Sequence, residues 1–380
     1  MQQDQSHAVN TAPAQRFVVL DSFRGLCALS VVVFHLHISG SFTDLPFFRS
    51  AGLFVEFFFT LSGFVLCHSY AQRTFDAARF RAFLISRTCR IFPLHLAALL
   101  FCTLLVYVQR GFHLGRAVLS EWGPNALLLQ AWLPKTNAFS YNGPAWSISI
   151  EFYLYLIFGL LLFALFRWSK ALFGWIALLC SVCVWLNAGW IGTGGFRGIT
   201  CFFIGTLAYE GYRRSQHWRM PWISLLEVAA LAGIYFCLTL QYAHKSYWAT
   251  CYFALCIMLF AREGGWISRQ LLRPVFVKLG HWSFSIYLTH FVAISLLMWL
   301  APDLGLDLEQ PENSALTYLT TGSIPGDFVL TLTILAGVLG ISNLTYKHIE
   351  QRGIALGRRL AGKTKLLDAA TGLKPATNKA

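Results

Sequence analysis

Pro144-Ala-Trp-Ser-Ile-Ser-Ile-Glu151-Phe-Tyr-Leu-Tyr155-Leu-Ile-Phe-Gly-Leu-Leu-Leu-Phe-Ala-Leu-Phe166 carries a single charged side chain. A helix that crosses a bilayer needs about 20 mainly apolar residues, and this stretch supplies them. Similar stretches recur along the chain. They predict crossings at 20–40, 51–71, 91–109, 144–166, 171–190, 195–211, 221–240, 247–262, 279–300 and 327–348. Composition agrees. Of 380 residues, 56% belong to the set AVILMFWYC, 16% are aromatic and only 12% are charged, with a mean hydropathy of +0.55. A soluble domain carries about 25% charged residues, so this chain has too few to cover a water-exposed globule. A disordered chain, a nucleic-acid-binding domain and a disulfide-stapled secreted module are set aside. The expected fold is an all-α, polytopic transmembrane bundle of about ten spans.

The net charge of +13 does not call for a nucleic-acid partner once its distribution is read. With the N-terminus inside, 24 of the 30 basic residues fall on the tails and on the loops after spans 2, 4, 6 and 8. Arg49, Arg110, Arg116, Lys135, Arg197 and Lys245 fall on the opposite side, where Asp303, Asp307, Glu309, Glu312 and Asp327 make the last loop acidic. This asymmetry is the positive-inside signature and predicts cytoplasmic termini. The chain then divides into an N-terminal tail (1–16), a transmembrane domain (17–350) and a basic C-terminal tail (351–380). The first span is read as a retained crossing rather than a cleavable signal, because polar residues precede it and Arg24, His35 and His37 lie within it.

Ionisable groups inside spans are costly and mark function or paired structural contacts. His35, Glu56, His68, Glu151 and His290 stand out. Arg24 and His35 are 11 positions apart, about three helical turns, so they share a face roughly 16 Å apart along the axis. His37 points nearly the opposite way and is read as a packing or interfacial residue. Ser147, Glu151 and Tyr155 recur at i, i+4 and i+8, and Ser283, Tyr287 and His290 at i, i+4 and i+7. Each set forms one polar stripe. A single stripe suits packing between helices; together with a cation and two imidazoles, the stripes suit a polar-lined cavity. Glu56 sits near a span end, where a carboxylate is cheap, and His68 reads as a snorkelling or structural residue.

The segment Arg79-Phe-Arg81-Ala-Phe-Leu-Ile-Ser-Arg87-Thr-Cys-Arg90-Ile-Phe-Pro93 alternates basic and apolar residues. An interfacial helix on anionic headgroups and a cradle for a phosphorylated ligand both fit it. The ten Cys lie mostly in apolar runs and read as small core residues. No metal-ligand set is expected: His35 and His37 diverge on a helix, and no HxxxH or carboxylate cluster accompanies them.

Five motifs, in order, resemble the acyltransferase 3 family of integral membrane O-acyltransferases from about Leu20 to Glu350. They are Leu20-Asp-Ser-Phe-Arg24 leading to His35, Phe57-Phe-Phe-Thr-Leu-Ser62-Gly63-Phe64, Arg87-Thr-Cys-Arg90-Ile-Phe-Pro93, Trp146-Ser-Ile-Ser-Ile-Glu151-Phe-Tyr153 and Ser283-Phe-Ser-Ile-Tyr287-Leu-Thr-His290. Two positions depart from the pattern: Ser22 replaces Gly, and Gln351-Arg352-Gly353 replaces a Pro. The resemblance implies transfer of an acyl group, commonly acetyl, from cytoplasmic acyl-coenzyme A to a hydroxyl. Typical acceptors are carbohydrates such as exopolysaccharide or lipopolysaccharide. It implies no permanently bound cofactor and a bacterial inner membrane. His35 becomes the catalytic histidine, Arg24 its partner, and Arg87, Arg90 and Arg24 the coenzyme contacts. The expected path threads the pantetheine arm along the Arg24–His35 face. Glu151 and His290 are added as catalytic candidates, and Glu56, Ser147 and Tyr287 as substrate contacts. Direct transfer and an acyl-histidine intermediate both remain open. The competing reading is a transporter or flippase of a small molecule or lipid-linked glycan, which would use the same intramembrane charges.

Overall fold

The computed structural model describes residues 16–71, 75–186, 194–310 and 316–370. Most of the N-terminal tail, the last ten residues of the C-terminal tail, residues 187–190 of the fifth expected span, Arg73 and Glu312 lie outside them. The chain is helical almost throughout: α1 (Val18–His35), α2 (Pro46–Arg49), α3 (Phe54–Tyr70), α4 (Ala77–Gln109), α5 (Arg116–Ala126), α6 (Ala145–Leu165) and α7 (Ser169–Trp185). Then follow α8 (Gly195–Ser215), α9 (Ile223–Thr239), α10 (Lys245–Phe260), α11 (Trp266–Leu271), α12 (Pro274–Leu300), α13 (Ile324–Thr345) and α14 (Gln351–Ala370). A two-stranded antiparallel hairpin, β1 (Asp307–Glu309) and β2 (Tyr318–Thr320), joins α12 to α13. All-α is therefore the class.

Among the described residues, six helical stretches are long and apolar enough to cross a membrane: Val18–His35, Ala51–Tyr70, Ala77–Gln109, Ala145–Leu165, Pro274–Leu300 and Ile324–Gly362. With the family assignment below, they make this a multi-pass membrane protein. The four other expected crossings are also helical, but α7, α9 and α10 are only 16 or 17 residues long. The remaining one, α8, carries Arg197, Glu210, Arg213 and Arg214. Length and composition thus mark six crossings where the sequence predicts ten.

Two expectations about element boundaries change. Asp76 accepts a hydrogen bond from the Arg79 backbone N–H at 2.8 Å, an N-cap that starts α4 well before the expected span. Arg79 to Arg90 are therefore the first turns of a 33-residue helix with Pro93 inside it, not a separate interfacial segment. At the other end of the chain, α13 passes into α14 through a π-helical turn, Tyr346–Glu350. The first part of the expected C-terminal tail is thus helical, and it packs along α4.

The interior is largely aromatic. Phe57, Phe64, Phe158, Phe202, Phe203, Phe253 and Phe260 are fully buried, whereas Trp175, Leu178, Leu179 and Leu225 point outward. Two glycine pairs set close helix crossings. A Cβ on Gly25 would stand 2.6 Å from the Gly280 N, and one on Gly280 would stand 2.4 Å from the Asp21 O. A Cβ on Gly63 or on Gly205 would fall 1.9 Å from a carbonyl oxygen of the facing helix. Contacts this tight draw α1 onto α12 and α3 onto α8. They bring the polar residues of those helices within reach of one another.

Candidate active site

A cavity of about 110 Å³, part of it open to solvent, lies among α1, α3, α4, α6 and α12. Its polar lining consists of Arg24, Ser62, Arg87, Arg90, Ser147, Glu151, Tyr155, Ser283 and Tyr287. The three arginines that the sequence singles out come from two helices and meet on this one space. Because Gly25 lets α1 lie against α12, the Arg24 Nε donates to Ser283 Oγ at 2.8 Å, and Nη2 reaches the Gly280 carbonyl at 3.4 Å. Asp21, one turn before, pairs with Arg24 at 3.3 Å and with Arg16 at 2.6 Å.

Arg87 stands among three rings, 5.4 Å from the centroid of Tyr155, 5.6 Å from Phe83 and 5.9 Å from Tyr70. It also donates to the Tyr70 hydroxyl at 3.5 Å. Its Nε is buried with no acceptor among the described residues. A charged donor left without an acceptor is costly, and an anionic ligand in the cavity would supply one.

The predicted stripe on α6 forms as spaced, and it gains a member from another helix. Tyr155 donates its hydroxyl hydrogen to Glu151. Ser62 of α3 donates to the same carboxylate oxygen at 2.5 Å. Ser147, the third stripe member, lies 2.7 Å from the Tyr287 hydroxyl, joining α6 to α12.

His35 does not line this cavity. It lies beyond Tyr287, whose ring centroid is 5.9 Å from that of His290. His290 in turn brings its Nε2 to 3.2 Å from the His35 Nδ1. The expected common corridor for Arg24 and His35 is thus divided: Arg24 lies on the cavity, and His35 lies past the Ser147–Tyr287 contact. The spacing puts both on one face of α1 but does not show that Tyr287 of α12 stands between them.

The hydrogen bonds of the pair fix its tautomers. His290 Nδ1 faces the Ile286 carbonyl at 3.1 Å, and His35 Nδ1 faces the Val31 carbonyl at 3.0 Å. A carbonyl only accepts, so both Nδ1 atoms carry hydrogen. In the neutral rings His290 Nε2 accepts from His35, and His35 Nε2 keeps a free lone pair. His290 is wholly buried, while His35 is half-buried against Phe34 and Phe291.

Glu56 belongs elsewhere. Its side chain is 1% exposed, pairs with Arg197 of α8 at 3.3 Å and accepts from Ser246 of α10 at 2.6 Å. Arg197 also lies over Trp146, 5.0 Å from its centroid. The structure therefore separates Glu56 from the cavity and places it in a second polar cluster. His68 forms a hydrogen bond with Tyr209 at 3.2 Å and packs on Phe17. Three residues that spacing alone does not bring to the site are Ser62, Asp21 and Glu350. Glu350 is 2% exposed and accepts from Ser285 of α12 at 2.8 Å. Ser62 had a signal in the motifs quoted above; Asp21 and Glu350 had one only as charges near span ends.

Comparison with known proteins supports the reading of these motifs. A family model described as an acyltransferase domain matches residues 17–343. The chain is similar to acyltransferase MdmB of Streptomyces mycarofaciens, with 30% identity over 73% of this chain and 80% of that protein. It is also similar to protein 2 in the picA locus of Rhizobium radiobacter, with 37% identity over 24% of this chain and 46% of that protein. No solved structure matches it. Nearly the whole described bundle, including both histidines and all three cavity arginines, lies within the matched range, and the chain belongs to the acyltransferase 3 family.

Proposed function

We propose that the protein is an acyl-coenzyme A-dependent O-acyltransferase, moving an acetyl group to a hydroxyl of a carbohydrate such as an exopolysaccharide or lipopolysaccharide. The observation that carries this reading is the meeting of Arg24, Arg87 and Arg90 on one cavity, with the buried Arg87 Nε lacking an acceptor. Guanidinium forks suit phosphate oxygens, so the coenzyme's nucleotide end belongs at these three residues. Its narrow arm then extends toward Ser147 and Tyr287, and the thioester passes their contact to reach His35.

There the free lone pair of His35 Nε2 takes the proton of the acceptor hydroxyl as its oxygen attacks the thioester carbon. The tetrahedral intermediate collapses, the carbon–sulfur bond breaks, and the coenzyme thiolate leaves. It recovers the proton from the His35 imidazolium, so the products are an ester and free coenzyme thiol. His290 holds the His35 tautomer, and Tyr287 is placed to donate to the developing oxyanion. Glu151, held by Ser62 and Tyr155, fixes the wall that the arm passes. In this scheme the basic loops and both termini face the cytoplasm of a bacterial cell, on the side where the donor is made.

The test uses membranes containing the full chain, incubated with [14C]acetyl-coenzyme A and their endogenous acceptors. Label should enter the glycan fraction. His35→Ala should lower incorporation by at least about 10²-fold while still binding coenzyme A. Undiminished transfer by a folded His35→Ala variant contradicts the assignment.

A further inference from the structure

The second feature of interest at the His35 end is Arg49, which the scheme above does not use. Helix α1 stops at His35, and the chain turns back through residues 36–45 before α2 delivers Arg49 beside that end. The guanidinium spends its hydrogens on this one segment. Nη2 donates to the carbonyls of Val33 at 2.7 Å and Leu36 at 2.9 Å, and Nε donates to that of Thr43 at 2.6 Å. Nη1 donates to His37 Nδ1. Burial, then the Arg49 cation itself, pushes the His37 imidazole down to about 4, so near neutral pH it is an acceptor. The nearest carboxylate, Asp44, is 3.9 Å away, too far for a hydrogen bond.

The last carbonyls of a helix have no partner within it. Here the two taken by Arg49 bracket His35, the Val33 carbonyl accepting also from the Leu36 N–H at 3.2 Å, while His35 itself points Nδ1 at Val31, one turn back. The direction of the imidazole therefore depends on how the last turn of α1 is held. The planar fork of arginine can grip carbonyls in several directions at once, whereas an ammonium is a single point charge. A plain loop staple would be satisfied by Thr43 and His37. Val33 and Leu36 are the contacts that concern the histidine.

The geometry points to Arg49 as a positioning residue for His35, one that clamps the end of α1 and thereby aims the imidazole. The proposal rests on the reading of His35 as the base, and its test has one arm independent of that reading. Full-length Arg49→Gln and Arg49→Lys variants are placed in lipid vesicles, and His35 is labelled with diethyl pyrocarbonate, which reacts with unprotonated imidazole. Peptide mass analysis gives its rate relative to the exposed His113. Freed from the clamp, His35 should label faster, by about threefold or more, in both variants. In membranes at saturating [14C]acetyl-coenzyme A, turnover should fall about tenfold to a hundredfold, with the donor KM within about twofold.

Thermal midpoints are measured alongside. If Arg49→Gln does not accumulate as folded protein, Arg49→Lys decides by the same two readouts. Unchanged labelling with unchanged turnover overturns the proposal. So does a Lys variant equal to the native chain in both, since charge alone would then suffice, and so does a turnover loss explained by a raised donor KM. If the native chain transfers no acyl group, the enzymatic reading fails, and the labelling ratio still decides whether Arg49 holds His35.

Discussion

Arg87 is the side chain on which the donor reading can be tested most sharply. Three aromatic faces hold its guanidinium between 5.4 and 5.9 Å, with no carboxylate paired to it among the described residues. Replacing Arg87 and Arg90 together with Ala should raise the acetyl-coenzyme A KM about 10²- to 10⁴-fold, since each charge-assisted hydrogen bond lost costs about 1.5–3 kcal/mol. The kcat should change much less, because neither side chain approaches His35. Initial-rate kinetics on membranes give both constants. An unchanged KM would return these residues to lipid headgroups. Residue spacing had already put Glu151 and Tyr155 on one face, and they form a hydrogen bond in the structure. It could not show that Ser62 completes the set, or that His290 faces His35. Spacing fixes rotation about a helix's own axis; which neighbour that face meets is decided by packing.

At the level of helices, the crossings of α1 with α12 and α3 with α8 place the chemistry. Gly63 matters because it lets the backbones of α3 and α8 nearly touch. Gly63→Ala would set a methyl 1.9 Å from the Phe202 carbonyl oxygen, which no rotamer change relieves. The helices must part, and the expected destabilisation is at least about 1–3 kcal/mol. Thermal unfolding in detergent reads this directly. A midpoint equal to that of the native chain would mean that α3 and α8 are not held so tightly. This level was only partly legible in the sequence. Most helix positions follow from apolar runs, but the run of α4 hides its start among alternating arginines, so Asp76 as its cap was missed. Nor does a glycine in an apolar run reveal which partner it touches.

For the whole molecule, polytopic character followed from composition, while span number and sidedness belong to the proposal. With both termini on the donor side, tags at the N-terminus and after α14 should be protected or digested together when sealed vesicles of known orientation meet protease. Opposite accessibility of the two tags would break the proposed orientation. The acceptor is the least legible feature, because the side chains around His35 are too few and too apolar to describe a sugar.

The π-helical turn at Tyr346–Glu350 makes the two halves of the final helix depend on each other through their angular phase. One residue fewer in the ordinary helix just after that turn would swing everything beyond it by about 100°. The small surface of Gly353 and Gly357, now lying on Cys89 and Ser86 beside Arg87 and Arg90, would then face away. Length just after this turn is thus under tighter constraint than residue identity.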